Sequence, residues 1–521
     1  MKSFFFFQLL VVLLFASCQN NEKQIINIDS VASPIGTEVF QPDWDNIAQS
    51  YQFPEWFCDA KFGIFIHWGI YAVPAFANEW YSRNMYQKDS REYKYHIETY
   101  GEHTQFGYKD FIPMFKAEKF NADEWAKLFR EAGARYVVPV AEHHDGFSMY
   151  SSDLNEWNSV KMGPQKDIVG LLKQALEREN LIFGLSSHRV ENAWFFNGGM
   201  EFPSDVRDFS ISLYGRRIPN RVLSEDVARE WLERTYELVN KYQPNLIYFD
   251  GAVNNAAIMP YFNRFLAYYY NNALDWGKQV VANTKGGYPN NIQVRDVERG
   301  RLENAMVFPW QTCTPIGKKS WAYLIDEEYK TPKQIIHDLI DIVSKNGNLL
   351  LNVGPRADGT IPEEQQSILF DIGKWLKVNG EAIYETRCWK KFGEGDAEIP
   401  RGSWSDNTAV GYSIRDIRFT TKGNDFYVIV LDWDDSTGVL VKSLDKNAIA
   451  DAKIQNVQLL GSNEKIEWEL TDAGLKLFFP KTQPCDFAYT FKISFDKKVG
   501  EHLESEAVNE IPRRGAGGVG V

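Results

Sequence analysis

From Trp56 to about Tyr384 this chain alternates amphipathic helical segments with short apolar runs, and no other feature narrows its fold as much. Helices and buried strands that take turns along a chain build a parallel sheet joined by helical crossovers. The clearest unit opens at Asn121 as an N-cap. It sets Trp125, Leu128, Phe129 and Ala132 on one helical face, stops at Gly133 and runs into a strand from Tyr136 to Ala141. Asp167 caps a second helix with Ile168, Leu171, Leu172 and Ala175 inward, ahead of a strand from Leu181 to Leu185. A third helix, Ser224 to Lys241, precedes a strand from Leu246 to Phe249. Helices from Tyr261 to Ala273 and from Thr331 to Val343 precede strands from Gln279 to Ala282 and from Asn348 to Val353.

So many units over residues 46–385 predict an α/β fold, a (β/α)8-type barrel. A doubly wound open sheet is the alternative, but no Gly-rich G-x-G-x-x-G turn opens a helix here. After Tyr384 the period drops to 2, with runs at Asp425 to Leu431, Gly438 to Val441, Ile466 to Leu470, Lys476 to Phe479 and Tyr489 to Phe495. Residues 386–498 therefore read as a C-terminal antiparallel β-sandwich, and the Gly-rich 499–521 as a disordered tail.

At 521 residues the chain exceeds one ordinary domain, and its formal charge of −13 argues against nucleic acid or an anionic membrane surface as a partner. Residues 1–18 read as a signal peptide: Lys2, an apolar stretch from Phe4 to Phe15, then Ala16-Ser17-Cys18. The same stretch resembles a bacterial lipoprotein signal, with Cys18 lipidated, although Phe15 stands where Leu is usual. The expected location is the periplasm or cell envelope, membrane contact being limited to that anchor. Residues 19–45 are polar and read as a linker. Cys58, Cys313, Cys388 and Cys485 are far apart without C-x-x-C spacing, and are expected as isolated thiols.

Four histidines lie where apolar runs break off: His67, His143, His144 and His188. In α/β barrels the chemistry sits at strand C-termini. Asp250 follows the strand ending at Phe249 and precedes Gly251, which makes it the leading candidate for a reactive carboxylate; an Asp-Gly pair can also simply cap a turn. Glu79 and Trp80 follow His67 within one short loop. Imidazoles, an indole and a carboxylate at one mouth are what sugar hydroxyls and C–H faces require. Metal ligation by His143-His144-Asp145 is the competing reading. Adjacent residues on an extended backbone point to opposite faces and the H-E-x-x-H spacing is missing, so no metal and no cofactor are expected.

These residues resemble glycoside hydrolase family 29, the exo-acting α-L-fucosidases. The resemblance is carried by Lys61-Phe-Gly-Ile-Phe-Ile-His-Trp-Gly69, Asn78-Glu-Trp-Tyr81, Phe120-Asn-Ala-Asp-Glu-Trp125, Ala132-Gly-Ala-Arg-Tyr136 and His143-His-Asp-Gly-Phe147. It continues in Leu246-Ile-Tyr-Phe-Asp-Gly251, Trp310-Gln-Thr-Cys-Thr314 and Gly347-Asn-Leu-Leu-Leu-Asn-Val-Gly-Pro355. It implies a retaining mechanism on fucosylated oligosaccharides or glycoconjugates, with Asp250 as nucleophile and His67, His143 and His144 binding fucose. Glu79, Trp80 and Trp321 are expected around the same pocket. The acid/base falls in Val294-Arg-Asp-Val-Glu-Arg-Gly-Arg301, with Glu298 the best match and Glu303 and Asp296 behind it. Two departures stand out. Ser186-Ser187 replace a tyrosine pair common in the family, so His188 and Trp194 are expected near the scissile bond, and Gln311 follows Trp310 where relatives have Glu. A non-catalytic glycan-binding lipoprotein, or a glycosidase for a related 6-deoxy or galactose-configured sugar, is the alternative.

Overall fold

The computed structural model describes residues 39–251, 253–434, 438–449 and 451–500. The signal segment, Cys18 and most of the expected tail lie outside them.

Eight parallel strands close into a barrel: β1 (Phe62–Ile66), β2 (Tyr136–Glu142), β3 (Ile182–Ser187), β4 (Leu246–Phe249), β5 (Val281–Thr284), β6 (Val294–Asp296), β7 (Trp310–Pro315) and β8 (Gly347–Val353). Closure comes from β1 pairing with β8, from Phe62 opposite Leu349 to Ile66 opposite Val353. The expected helices are present. Asn121 accepts the Glu124 N–H to cap Ala122–Glu131, Asp167 caps Ile168–Arg178, and Thr331 caps Pro332–Ser344 with Pro332 in its first turn. β6 and β7 have no counterpart among the expected strands. β6 is three residues long, and two of them are Arg295 and Asp296. β7 carries Gln311, Thr312, Thr314 and Pro315, so neither offers an apolar run.

Side chains alternate in and out along each strand. The inward ones stack in layers: Leu246, Val281 and Val294 low in the barrel, Tyr248 above them, and Phe65, Val138, Cys313 and Leu350 around them. The layers are tight. A Cβ on Gly63 would stand 2.5 Å from the Tyr136 ring, whose hydroxyl donates to Gln311 Oε1 at 2.9 Å across the barrel.

The C-terminal part is two antiparallel sheets. One has the order β13 (Ile454–Leu459), β16 (Tyr489–Phe495), β11 (Asp425–Val430), β10 (Ile417–Lys422), β9 (Gly393–Glu394); the other is β12 (Val439–Val441), β15 (Gly474–Leu477), β14 (Trp468–Thr471). Alternate residues such as Phe419, Phe426 and Val428 enter the core they share with Val441, Leu475 and Leu477. The intervening residues face the barrel: Arg418 donates to Asp341 at 2.7 Å, Thr420 to the Ala382 carbonyl at 2.7 Å and Tyr427 to Glu381 at 2.9 Å. The five-stranded sheet is thus buried on both faces, and barrel and sandwich share one compact unit that starts at Val39. Two ends of the expected segments are docked. Phe40, within the expected linker, packs on Tyr270 and exchanges hydrogen bonds with Asn271; Val499 is buried and accepts from Trp389 Nε1 at 3.0 Å. The four cysteines described are free thiols.

Gly63→Ala should destabilise the protein by about 1–3 kcal/mol through overpacking against Tyr136, read as a lower Tm; an unchanged Tm would mean the barrel floor can relax around an extra methyl group.

Candidate active site

The first residue after each of the first five strands is chemically competent: His67 after β1, His143 after β2, His188 after β3, Asp250 after β4 and Lys285 after β5. Glu298 is the second residue after β6. The inward alternation explains why they converge. Leu246, Tyr248 and Asp250 climb one strand; Val281, Asn283 and Lys285 climb the next, and Val294, Asp296 and Glu298 the one beyond. Lys285 was not among the expected site residues. β5 runs to Thr284 rather than stopping at Ala282, which brings Lys285 to the strand-end position.

Its ammonium bridges the two carboxylates, contacting Asp250 Oδ1 and lying 2.7 Å from Glu298 Oε2. Two oxygens that share one ammonium are at most two hydrogen-bond lengths apart, about 5.5 Å. The other oxygen of Asp250 faces His144 Nε2 at 3.2 Å and His188 Nδ1 at 3.4 Å. Burial alone would raise the Asp250 pKa. Lys285, His188 and His144 outweigh it and hold the carboxyl well below the usual carboxylate range. Gly251, at φ +80°, lies against Glu191, which a Cβ would meet at 2.7 Å. Glu191 is a further carboxylate that sequence reasoning missed, 4.0 Å from His144, with its pKa raised by burial.

The histidines split by charge. His67 and His143 are buried and pushed well below the usual imidazole range, first by burial and then by the neighbouring histidines, and burial lowers His188 to about 4. Burial also opposes charge on His144, but its hydrogen bond to Asp250 and the charges of Glu191 and Asp250 prevail and raise its pKa. His67 Nδ1 is tied to Asn352 Oδ1 at 2.7 Å, and His188 Nε2 to Ser186 Oγ at 2.6 Å. The serine that departs from the family pattern therefore orients His188 onto Asp250. His143 Nδ1 is buried without a hydrogen-bond partner, a vacancy suited to a ligand hydroxyl.

His143 and His144 were expected to point apart. They do not: β2 ends at Glu142, a register shift separates Val140 from Glu142, and a turn closed by the Gly146 N–H on the His143 carbonyl brings both rings to the mouth, 4.5 Å apart. Ring nitrogens of His67, His143 and His188 lie within 4.8 Å of one another, as do ligand atoms of His144, His188 and Asp250, close enough for a divalent ion to be held. Asp145 takes no part in either group. It accepts from the Tyr108 hydroxyl at 2.7 Å and from the Phe147 N–H at 3.1 Å.

Aromatic walls complete the mouth. Trp80 packs on His144, Trp194 and Phe195, and Trp321 lies 5.0 Å from the His67 ring. Glu79 is buried and accepts from Ser320 Oγ at 2.8 Å and the Trp321 N–H at 3.0 Å, so it positions Trp321. Glu303 is not brought to this cluster; it sits at the surface in an ion pair with Arg401 at 2.6 Å. Asp296 lies inside the barrel below Glu298, accepting from Tyr248, Gln311 and Cys313.

A (β/α)8 barrel with paired carboxylates, neutral imidazoles and indole walls at its C-terminal mouth defines a glycoside hydrolase. The "Alpha-L-fucosidase" family model matches residues 28–381 and the "Alpha-L-fucosidase C-terminal domain" model residues 412–494. Human plasma alpha-L-fucosidase is 32% identical over 479 residues, 87% of this chain and 92% of its own length; human tissue alpha-L-fucosidase is 32% identical over 481 residues, with the same coverage. The Thermotoga maritima alpha-fucosidase in complex with fucose superposes with a TM-score of 0.70 at 30% identity, covering 87% of this chain and 100% of that one. The chain belongs to the α-L-fucosidases of glycoside hydrolase family 29.

Burial pushes Asp296 up to about 7, against the lowering contacts of Cys313, Lys285 and Gln311. A folded-state pKa above the unfolded value of 3.8 gives stability that is full below pH 3.8 and lost as pH rises through about 7. Asp296→Asn should remove that decline from the Tm-versus-pH curve between about pH 4 and 7. An unchanged curve would place the titration on another group.

Proposed function

We propose that the enzyme releases terminal L-fucose with retention, through a fucosyl ester on Asp250. The supporting observation is the Lys285 ammonium shared by Asp250 and Glu298, which keeps those oxygens within the about 5–5.5 Å typical of retaining pairs, short of the about 6.5–9.5 Å of inverting ones. Asp250 Oδ attacks the anomeric carbon as the bond to the glycosidic oxygen breaks, and Glu298 gives that oxygen its proton. Water then attacks the same carbon, the ester to Asp250 breaks, and the water proton returns to Glu298. Lys285, His144 and His188 keep Asp250 ionised and aimed. The neutral His67 and His143 present ring nitrogens to sugar hydroxyls, with Trp80, Trp194 and Trp321 around them and Glu79 fixing Trp321. This chemistry is written with two carboxylates and calls on no metal or cofactor. The substrates are fucosylated oligosaccharides or glycoconjugates, taken at their non-reducing ends.

Residues 1–18 are proposed to export the chain and Cys18 to carry a lipid, on the sequence pattern alone. No helix among the described residues is long and apolar enough to cross a membrane.

NMR of an aryl α-L-fucoside digest should show α-fucose first; β-fucose first would sink the ester mechanism. Asp250→Ala should lower kcat/KM by at least about 10⁴-fold, and a chelator should leave the wild-type rate unchanged. Glu298→Ala should slow disaccharides far more than activated aryl fucosides and be rescued by azide. If Glu191→Ala or Glu303→Ala behaves so instead, the acid/base is misassigned. Lys285→Met should cost roughly 10²–10³ in kcat and move the acid limb of the pH profile upward, because Asp250 loses the cation that depresses its pKa most. Separately, metabolic labelling with a fatty acid should mark the wild type and not Cys18→Ala; equal labelling would contradict the anchor.

A further inference from the structure

The loop from Gly402 to Asn407, in the connection between β9 and β10 of the C-terminal sheet, touches the backbone that follows β6. The Trp404 N–H donates to the Glu298 carbonyl at 3.2 Å, and the Ser405 and Asp406 N–H groups both donate to the Arg299 carbonyl. Arg301 and Gly402 exchange backbone hydrogen bonds. The loop is pinned from below: Asp406 pairs with Arg299 at 3.0 Å and Lys330 at 2.6 Å, all three nearly fully buried. This scaffold presents one large side chain to solvent. Trp404 is 51% exposed, and its backbone sits at φ +64°, a left-handed conformation that a bulky residue adopts only when surrounding contacts enforce it. One face of the indole meets the Arg299 guanidinium, 5.0 Å from the ring centroid. Arg299 also donates to the Lys318 carbonyl, on the loop that carries Trp321, which ties the mount of this indole to a wall of the mouth.

An exposed, strained tryptophan on a rigid mount beside the proton donor has a specific meaning. Glu298 must touch the oxygen that joins fucose to the rest of the substrate, and the Trp404 main chain is bonded to the Glu298 main chain, which brings a large exposed side chain to the same strand end as the proton donor. We propose that Trp404 is the platform of the leaving-group subsite, stacking its free face on the C–H side of the sugar ring to which fucose is attached. The preferred substrate is then a fucosyl-pyranose, a disaccharide unit or longer, rather than fucose on a serine or threonine hydroxyl. This rests on Glu298 being the acid/base.

The test compares leaving groups with and without a sugar ring: fucosyl disaccharides, fucosyl-serine and α-L-fucosyl fluoride. Trp404→Asn suits the left-handed backbone and keeps the N–H bond to Glu298. It should lower the kcat/KM ratio of disaccharide to fluoride by roughly tenfold to a hundredfold, and leave the ratio of fucosyl-serine to fluoride where the wild type has it. Trp404→Phe should recover most of the disaccharide ratio; equal loss in both variants would mean a loop defect and overturn the platform. An unchanged disaccharide ratio in Trp404→Asn would overturn it as well. Azide rescue of Glu298→Ala reports separately on the acid/base. If rescue fails while the Trp404 ratio falls, the acid assignment is lost and the platform stands on the measured leaving-group ratio instead of on Glu298; if rescue succeeds and the ratio holds, the platform alone is lost.

Discussion

The pairing of β1 with β8 is the constraint on which the rest of this molecule depends. Once eight parallel strands close, every strand's carboxyl end reaches the same rim, and the residue that follows each strand is delivered there whatever its sequence distance from the others. His67 and Lys285 are more than 200 positions apart in the chain, yet both occupy that place. The alternation of inward side chains then decides what supports the rim. Tyr248 and Asp296, each two residues below one of the two carboxylates that Lys285 bridges, are joined by a hydrogen bond of 3.2 Å beneath the site. The strands carrying Asp250 and Glu298 are therefore tied across β5, which separates them in the barrel.

The mouth combines two electrostatic regimes. Around Asp250 the Lys285 ammonium and the ring nitrogens of His144 and His188 compensate a carboxylate that burial would otherwise neutralise. A short distance away burial, and after it neighbouring histidines (His188 for His67; His144, His188 and His67 for His143), push His67 and His143 well below the usual imidazole range, which leaves ring nitrogens free to donate and accept. A nucleophile needs the first environment and a neutral polyhydroxylated ring needs the second. The barrel supplies both because adjacent strands can carry different chemistry to one rim.

Much of this was legible in the sequence, for reasons the structure explains. β1, β2, β4 and β8 are apolar runs buried along their whole length, so their ends, and with them His67, His143 and Asp250, stand out. β6 and β7 turn Asp296, Gln311 and Cys313 into a polar stretch of the barrel interior, where Gln311 and Cys313 donate to Asp296, and polar strands carry no periodic signal. Lys285 was hidden by a two-residue error in the end of β5, although the rule that found the histidines applies to it unchanged. Glu191 ends a single 3-10 turn after β3 and Trp404 sits on a loop, and both reach the site through tertiary contacts that local pattern does not encode. His144 illustrates the converse. Extended geometry would send it away from His143, and the turn after β2 brings it back.

The central claim is that Asp250 becomes covalently bonded to fucose. Slow-turnover labelling with 2-deoxy-2-fluoro-α-L-fucosyl fluoride, followed by proteolysis and mass spectrometry, tests it most directly. A single fluorofucosyl adduct on the peptide carrying Asp250, lost on incubation with an acceptor as activity returns, is the predicted result. An adduct on another residue, or full inactivation with no adduct at all, would contradict it.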